Sequence, residues 1–106
     1  MFELRTYYAA PGKLDALLAR FRDHTCGLFK KHGMVDIAYW VPLENPENKL
    51  IYILRHASEQ ARIASWTAFG NDPQWHAALS ESEKSGSLTL KVESILMDAT
   101  DFSALR

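Results

Sequence analysis

Apolar residues in this chain switch between two spacings, and the order of the switches dictates the fold. Over residues 2 to 8, Phe2, Leu4 and Thr6 alternate with Glu3, Arg5 and Tyr7, the period of a strand with one polar side. Pro11-Gly12 breaks that pattern, and from Lys13 the spacing becomes helical at Leu14, Leu17, Leu18, Phe21, Leu28 and Phe29. One amphipathic helix of about five turns is predicted, with Asp15, Arg22, Asp23 and Lys30 outward. It should stop at His32-Gly33, because a glycine just past the last periodic residue takes the left-handed cap that other residues resist.

Val35 to Val41 reads as a second strand, Pro42 to Asn48 as a loop, and Leu50 to His56 as a third strand. Strands joined by a short polar loop pair as an antiparallel hairpin. Ser58 is the expected N-cap of a helix through Phe69, with Ala61, Ala64, Ser65 and Ala68 as a small inner face. Gly70-Asn71 interrupts that helix. Asp72-Pro73 restarts it, with Asp as cap and Pro at the first helical position, and Trp75, Ala78 and Leu79 supply the buried stripe before Gly86 ends it. The last strand runs from about Leu88 to Met97 and sets Leu88, Leu90, Val92 and Leu96 against Thr89, Lys91 and Glu93. Asp98 to Arg106 is an irregular tail.

Strand, helix, strand, strand, helix, strand within residues 1–106 specifies a single α+β domain of the ferredoxin-like βαββαβ type. Right-handed crossovers place two helical segments on one face of a four-stranded antiparallel sheet. The other face has nothing from this chain to cover it. Yet Leu50 to Leu54 is apolar on both sides, and strand two sets Trp40 opposite Val35, Ile37 and Val41. Four strands of ordinary length present a face of roughly 400 Å², large enough for a contiguous apolar surface to mark an interface. The simplest cover is a second copy, sheet against sheet, in a two-fold homodimer.

Lys and Arg number 12 against 13 Asp and Glu, so no net field draws the chain to nucleic acid or an anionic membrane. No apolar run approaches the roughly 20 residues of a membrane helix. A lone Cys26 makes no intrachain disulfide, and the N-terminus lacks a signal-peptide layout, so a cytoplasmic location is expected. Neither metal nor other cofactor is expected. His24 and His32 lie about 12 Å apart along one helix axis, no His-x-His pair exists, and Gly12-Lys13 lacks the upstream glycine of a phosphate loop. Cys26 reads as a small buried thiol, since His24, two residues away, points off by about 200°.

Aromatic density is the remaining signal: Trp40, Trp66, Trp75, Tyr7, Tyr8, Tyr39 and Tyr52. These rings serve packing, or they surround a pocket. For a pocket, Arg5, Tyr7 and Glu93 on the polar sides of strands one and four would line a cavity between two stacked sheets. Arg5 and Glu93 are neighbours if strand four pairs with strand one; the alternative is a cross-strand ion pair at the dimer interface. Strand parity leaves open which of Tyr39 or Trp40, and which of Tyr52 or Ile53, faces that space. The candidate pocket is therefore Arg5, Tyr7, His24, Tyr39, Trp40, Tyr52 and Glu93.

The chain resembles the NIPSNAP proteins over essentially its whole length. Glu3-Leu4-Arg5-Thr6-Tyr7 with Pro11-Gly12-Lys13 looks like that family's opening. Arg20-Phe21, His24-Thr25, Leu28-Phe29 and Lys31-His32-Gly33-Met34 look like its first helix. Tyr39-Trp40, Ala64-Ser65-Trp66, Ala68-Phe69, Asp72-Pro73 with Trp75, Ser82-Glu83, Gly86, Val92-Glu93-Ser94 and Thr100-Asp101-Phe102 continue the match. The resemblance implies a ferredoxin-like protomer of the dimeric α+β barrel superfamily, from a family broadly of unknown biochemical activity. Animal relatives are linked to mitochondria and vesicle traffic; with its first strand at residue 2, this chain is not expected to carry the mitochondrial targeting over. The superfamily includes cofactor-independent monooxygenases, haem-degrading enzymes and decarboxylase-like or dehydratase-like members, none of whose catalytic residues maps onto a motif here. Three functions follow as expectations: a homodimer binding a small apolar or aromatic ligand; a cofactor-independent monooxygenase or isomerase with Tyr7, His24 or Glu93 moving protons; and a non-catalytic interaction scaffold.

Overall fold

The computed structural model describes all residues, Met1–Arg106. Strand β1 (Phe2–Ala9) leads into α1 (Leu14–Arg20), a π-helical turn (Phe21–Thr25) and α2 (Cys26–Lys31), which run on as one helix. Strands β2 (Val35–Trp40) and β3 (Lys49–Arg55) form the hairpin. Helices α3 (Glu59–Gly70) and α4 (Pro73–Ser82) follow, and β4 (Thr89–Met97) completes the sheet. Strand order is β2-β3-β1-β4, antiparallel throughout, as the ferredoxin-like reading requires.

The stop signals act where the residue types place them. Gly33 sits at φ +77°, its N–H reaches the Lys30 carbonyl at 3.2 Å, and the Met34 N–H reaches that of Phe29 at 2.9 Å. This is the paired closure that ends a helix on a left-handed residue. Ser58 Oγ accepts from the Ala61 N–H at 3.0 Å, and Asp72 Oδ1 accepts from the Gln74 N–H at 2.8 Å, so both later helices carry side-chain caps. Helix α4 ends at Ser82 rather than at Gly86.

The core lies between the helices and β1, β3 and β2. Leu17, Phe21, Leu28 and Phe29 from the first helix meet Leu50, Tyr52 and Leu54 of β3, with Phe69 of α3 alongside. Their rings interlock: Phe21 and Tyr52 have centroids 5.3 Å apart, Phe29 and Phe69 5.5 Å. Helix α3 departs from expectation. Ala64 and Ala68 are exposed, and its inner side is carried by Trp66 and Phe69, which pack on Phe29. Two large rings, not a row of small residues, make the contact, so the helix leans against the core through its side chains.

Paired residues of neighbouring strands share a face, and the register therefore assigns both faces. Glu3, Arg5, Tyr7, Leu50, Tyr52, Leu54, Val92, Ser94 and Leu96 point to the helix side; Leu4, Ile51, Ile53, Lys91, Glu93 and Ile95 point to the other. In β2 the register slips at Ile37, so Val35, Ala38 and Trp40 lie together on the bare side while Asp36 and Tyr39 face the helices. That slip corrects the simple alternation that set Trp40 opposite Val35. One end of the bare face is not empty: Ala99 and Leu105 of the tail border a hollow there together with Phe2, Ile53 and Met97. The rest, including Val35, Trp40 and Ile95, is exposed. On the helix side, Val92 and Leu96 of β4 are also exposed, because the helices stand over the other three strands. No helix is long and apolar enough to cross a membrane.

Candidate functional site

At the border between the covered strands and bare β4, alternation on β1 brings Glu3, Arg5 and Tyr7 to the helix side, where Tyr52 of β3, Ser94 of β4 and Trp66 of α3 converge. Glu3 is fully buried. Its Oε1 accepts from His56 Nε2 and from the Trp66 indole N–H, each at 2.9 Å. Its Oε2 accepts from Arg5 Nη1 at 3.0 Å and from the Ser94 hydroxyl at 2.7 Å. A carboxylate offers about four acceptor positions, and all four are filled. Burial pushes the Glu3 carboxyl up, but bonds from Trp66, Ser94 and His56, with Arg5 nearby, outweigh it and hold the group at about 2.

Arg5 is enclosed on most sides. Its Nε donates to Tyr52 Oη at 2.9 Å, its Nη2 to Tyr7 Oη at 3.2 Å, and its guanidinium carbon lies 4.2 Å from the centre of the Trp66 ring. Burial works against the Arg5 charge; the Tyr52 and Tyr7 oxygens and the Glu3 carboxylate more than offset it, so the side chain stays cationic. The Tyr52 hydroxyl in turn donates to Tyr7 Oη at 3.3 Å. Burial drives the Tyr52 phenol far above its ordinary value, Tyr7 adds to this, and Arg5 opposes it. Arg5 retains 17 % side-chain exposure. Tyr52 flanks it from β3, Glu3 and Tyr7 lie before and behind it on β1, and Trp66 covers its face. The remaining side is that of β4, toward exposed Val92 and Leu96.

Among the seven residues singled out in sequence, the structure brings Arg5, Tyr7 and Tyr52 into direct contact, on the helix side of the sheet and not in the expected space between two stacked sheets. Tyr39 adjoins them, its ring centroid 5.3 Å from that of Tyr52 and its hydroxyl bonded to Asp36 at 2.8 Å. The others lie elsewhere. Glu93 pairs in register with Thr6 on the bare face and bonds to Tyr8, so Arg5 and Glu93 are not neighbours even though β4 does pair with β1. Trp40 is on that same bare face. His24 is exposed in the π-helical turn and lines an outer groove of about 500 Å³ with Asp23, Lys31, Gln74 and Glu81. Parity is thereby settled: Tyr39 and Tyr52 face the helices, Trp40 and Ile53 do not. Glu3, His56, Trp66 and Ser94 were outside the expected pocket. A glutamate on the inner side of a strand was the available signal, since such a carboxylate must collect donors from other elements.

A second polar joint is structural. Asp72 Oδ2 accepts from Lys31 Nζ and lies against His32 Nε2, both at 2.7 Å, tying the end of α2 to the start of α4. The bonds from Lys31 and His32, with the Gln74 amide, hold its carboxyl well below the usual range. No three His, Cys, Asp or Glu side chains gather as a metal site would require.

These features define an α+β domain with one bare sheet face and a charged, ring-lined border on the other. The NIPSNAP family model matches residues 2–104, and the chain belongs to that family. It is similar to a NIPSNAP family protein from Agrobacterium tumefaciens, at 25% identity and TM-score 0.86 over 99% of this chain and 97% of that one. A second Agrobacterium tumefaciens NIPSNAP protein, with unknown function, is also 25% identical, with TM-score 0.86 over 99% and 92%. An antibiotic biosynthesis monooxygenase shares the fold at 16% identity and TM-score 0.57, over 94% of this chain and 99% of that one. No curated protein matches this chain in sequence.

Proposed function

We propose that this NIPSNAP protein is a homodimer that binds a small apolar or aromatic ligand, with the bare sheet face joining the two copies and the Arg5 border receiving the ligand. The observation that carries the ligand reading is the Arg5 fork, stacked on Trp66 and held by two tyrosines, beside uncovered Val92 and Leu96. A cation preorganised among rings next to open apolar surface has the composition of a small-molecule site. The dimer reading is supported by the makeup of the bare face. Its centre is Leu4, Ile51, Ile53 and Ala38, and its charges, Lys49, Arg55, Lys91 and Glu93, sit toward its margins, the arrangement of an apolar interface with a polar rim.

Two residues of the cluster are held away from proton transfer by their surroundings. Glu3 stays ionised and saturated with donors, and Tyr52 holds its proton, so neither is poised near neutral pH as a general acid or base. Native mass spectrometry of protein purified from its own cells tests the proposal. The expected species has twice the 12.0 kDa chain mass plus a retained small molecule. A monomer at micromolar concentration refutes the assembly; an empty dimer that takes up no aromatic compound leaves an interaction scaffold instead.

A further inference from the structure

Resting on the ligand-binding reading above, we infer that the ligand presents a carboxylate to Arg5 and Tyr7 and lays an apolar or aromatic body along Trp66 toward Val92 and Leu96. Glu3, the only carboxylate in the cluster, has both oxygens doubly occupied. Arg5 donates one bond from each of its three nitrogens. A guanidinium carries five N–H groups, so two are left over. Tyr7 Oη accepts from Arg5 and from Tyr52, and its own proton has no acceptor.

What this border leaves unsatisfied is therefore donors: two N–H of a fixed cation and the O–H of Tyr7. A ligand satisfies them only by bringing acceptor oxygens. A planar guanidinium matches a carboxylate edge to edge, and charge-assisted bonds of this type are about twice as strong as neutral ones. The Glu3 charge opposes a second anion, and the four donors already turned toward Glu3 offset that opposition. Trp66, fixed by its own bond to Glu3, supplies a flat surface beside the fork. Exposed Val92 and Leu96 extend that surface along β4, which suits a ring or short chain attached to the carboxylate.

Isothermal titration of the purified protein with benzoate, benzyl alcohol and acetate tests the inference. Benzoate is expected to bind about tenfold or more tightly than benzyl alcohol, the effect of one charge-assisted pair, and more tightly than acetate, which makes the pair but lacks the ring. Arg5→Lys replaces the fork by a point charge and should erase most of the preference for benzoate. Equal binding of benzoate and benzyl alcohol, or an undiminished benzoate preference in Arg5→Lys, overturns the carboxylate assignment while leaving the apolar-ligand reading in place. A dimer that binds none of the ring compounds overturns both.

Discussion

The Arg5 guanidinium lies 4.2 Å from the centre of the Trp66 ring while both side chains donate to the same carboxylate, that of Glu3. One buried anion thus fixes the position of a cation and of the ring it stacks on. Because Glu3 also receives His56 from the end of β3 and Ser94 from β4, the same group joins the sheet to α3. The site's shape depends on a residue that no ligand in this arrangement need touch.

Replacing Glu3 by Gln should accordingly destabilise the fold more than its size change suggests. The side chain keeps its volume, but its amide turns a donor toward a set of donors, and Arg5 loses its buried counter-charge. Breaking one partner of a buried charged pair costs about 3–5 kcal/mol. The fall in urea midpoint for Glu3→Gln, against a near-neutral change for exposed Glu81→Gln, measures it.

Acid should weaken the protein in a defined window. Glu3 is held down from 4.5 to about 2 in the fold, whereas in the unfolded chain it titrates near its ordinary value of about 4.3. The unfolded state then takes up the proton first, so the contribution is complete above about pH 4.5 and is lost as pH falls toward about 2. Asp72, lowered by Lys31, His32 and the Gln74 amide, adds a loss of the same sign. Urea midpoints measured from pH 6 down to pH 2 should fall, and the slope should flatten in Glu3→Gln and in Asp72→Asn separately.

Gly33→Ala isolates a purely backbone effect. Gly33 is left-handed at φ +77°, and a Cβ placed there meets nothing within 4 Å. The expected loss is the conformational penalty alone, about 1 kcal/mol. Thermal or urea unfolding would show it, and a loss several times larger would mean that the turn holds more than its own helix end.

Element order and caps were legible because they follow from residues acting locally, and strand pairing followed from that order through the right-handed crossover rule. Ser58, Asp72 and Gly33 each do in the structure what their side chains do in any chain. The faces of β4 and β2 were harder. Glu93 alternates correctly within its strand, but only the register with β1, which places Arg5 opposite Ser94, decides that it lies away from Arg5. At Ile37 a one-residue slip reverses the parity of Trp40 relative to Val35, and no pattern within Val35–Trp40 announces it. The site was half legible for a related reason. Arg5, Tyr7 and Tyr52 stand on two paired strands, whereas His56, Trp66 and Ser94 reach Glu3 from sequence distances of 53, 63 and 91 residues, which only tertiary packing sets.

The bare face yields the sharpest test of assembly. Ile53 lies between Leu4 on β1 and Ala38 on β2, where the apolar surface meets the hollow bordered by the tail, and away from the Arg5 border. A carboxylate there has Arg55 two residues along the same face, and in a sheet-on-sheet dimer it would be buried near its two-fold copy. Burying two like charges side by side at an interface is costly, so Ile53→Asp should convert the proposed dimer to a monomer in sedimentation velocity at micromolar concentration. Lys84→Asp, an exposed change beyond the end of α4, controls for altered charge. Because Glu3 and Trp66 are on the opposite side of the sheet, the monomer's near-ultraviolet circular dichroism should still report an ordered Trp66. A wild-type chain that sediments as a monomer, or an Ile53→Asp variant that remains dimeric, would move the assembly surface elsewhere.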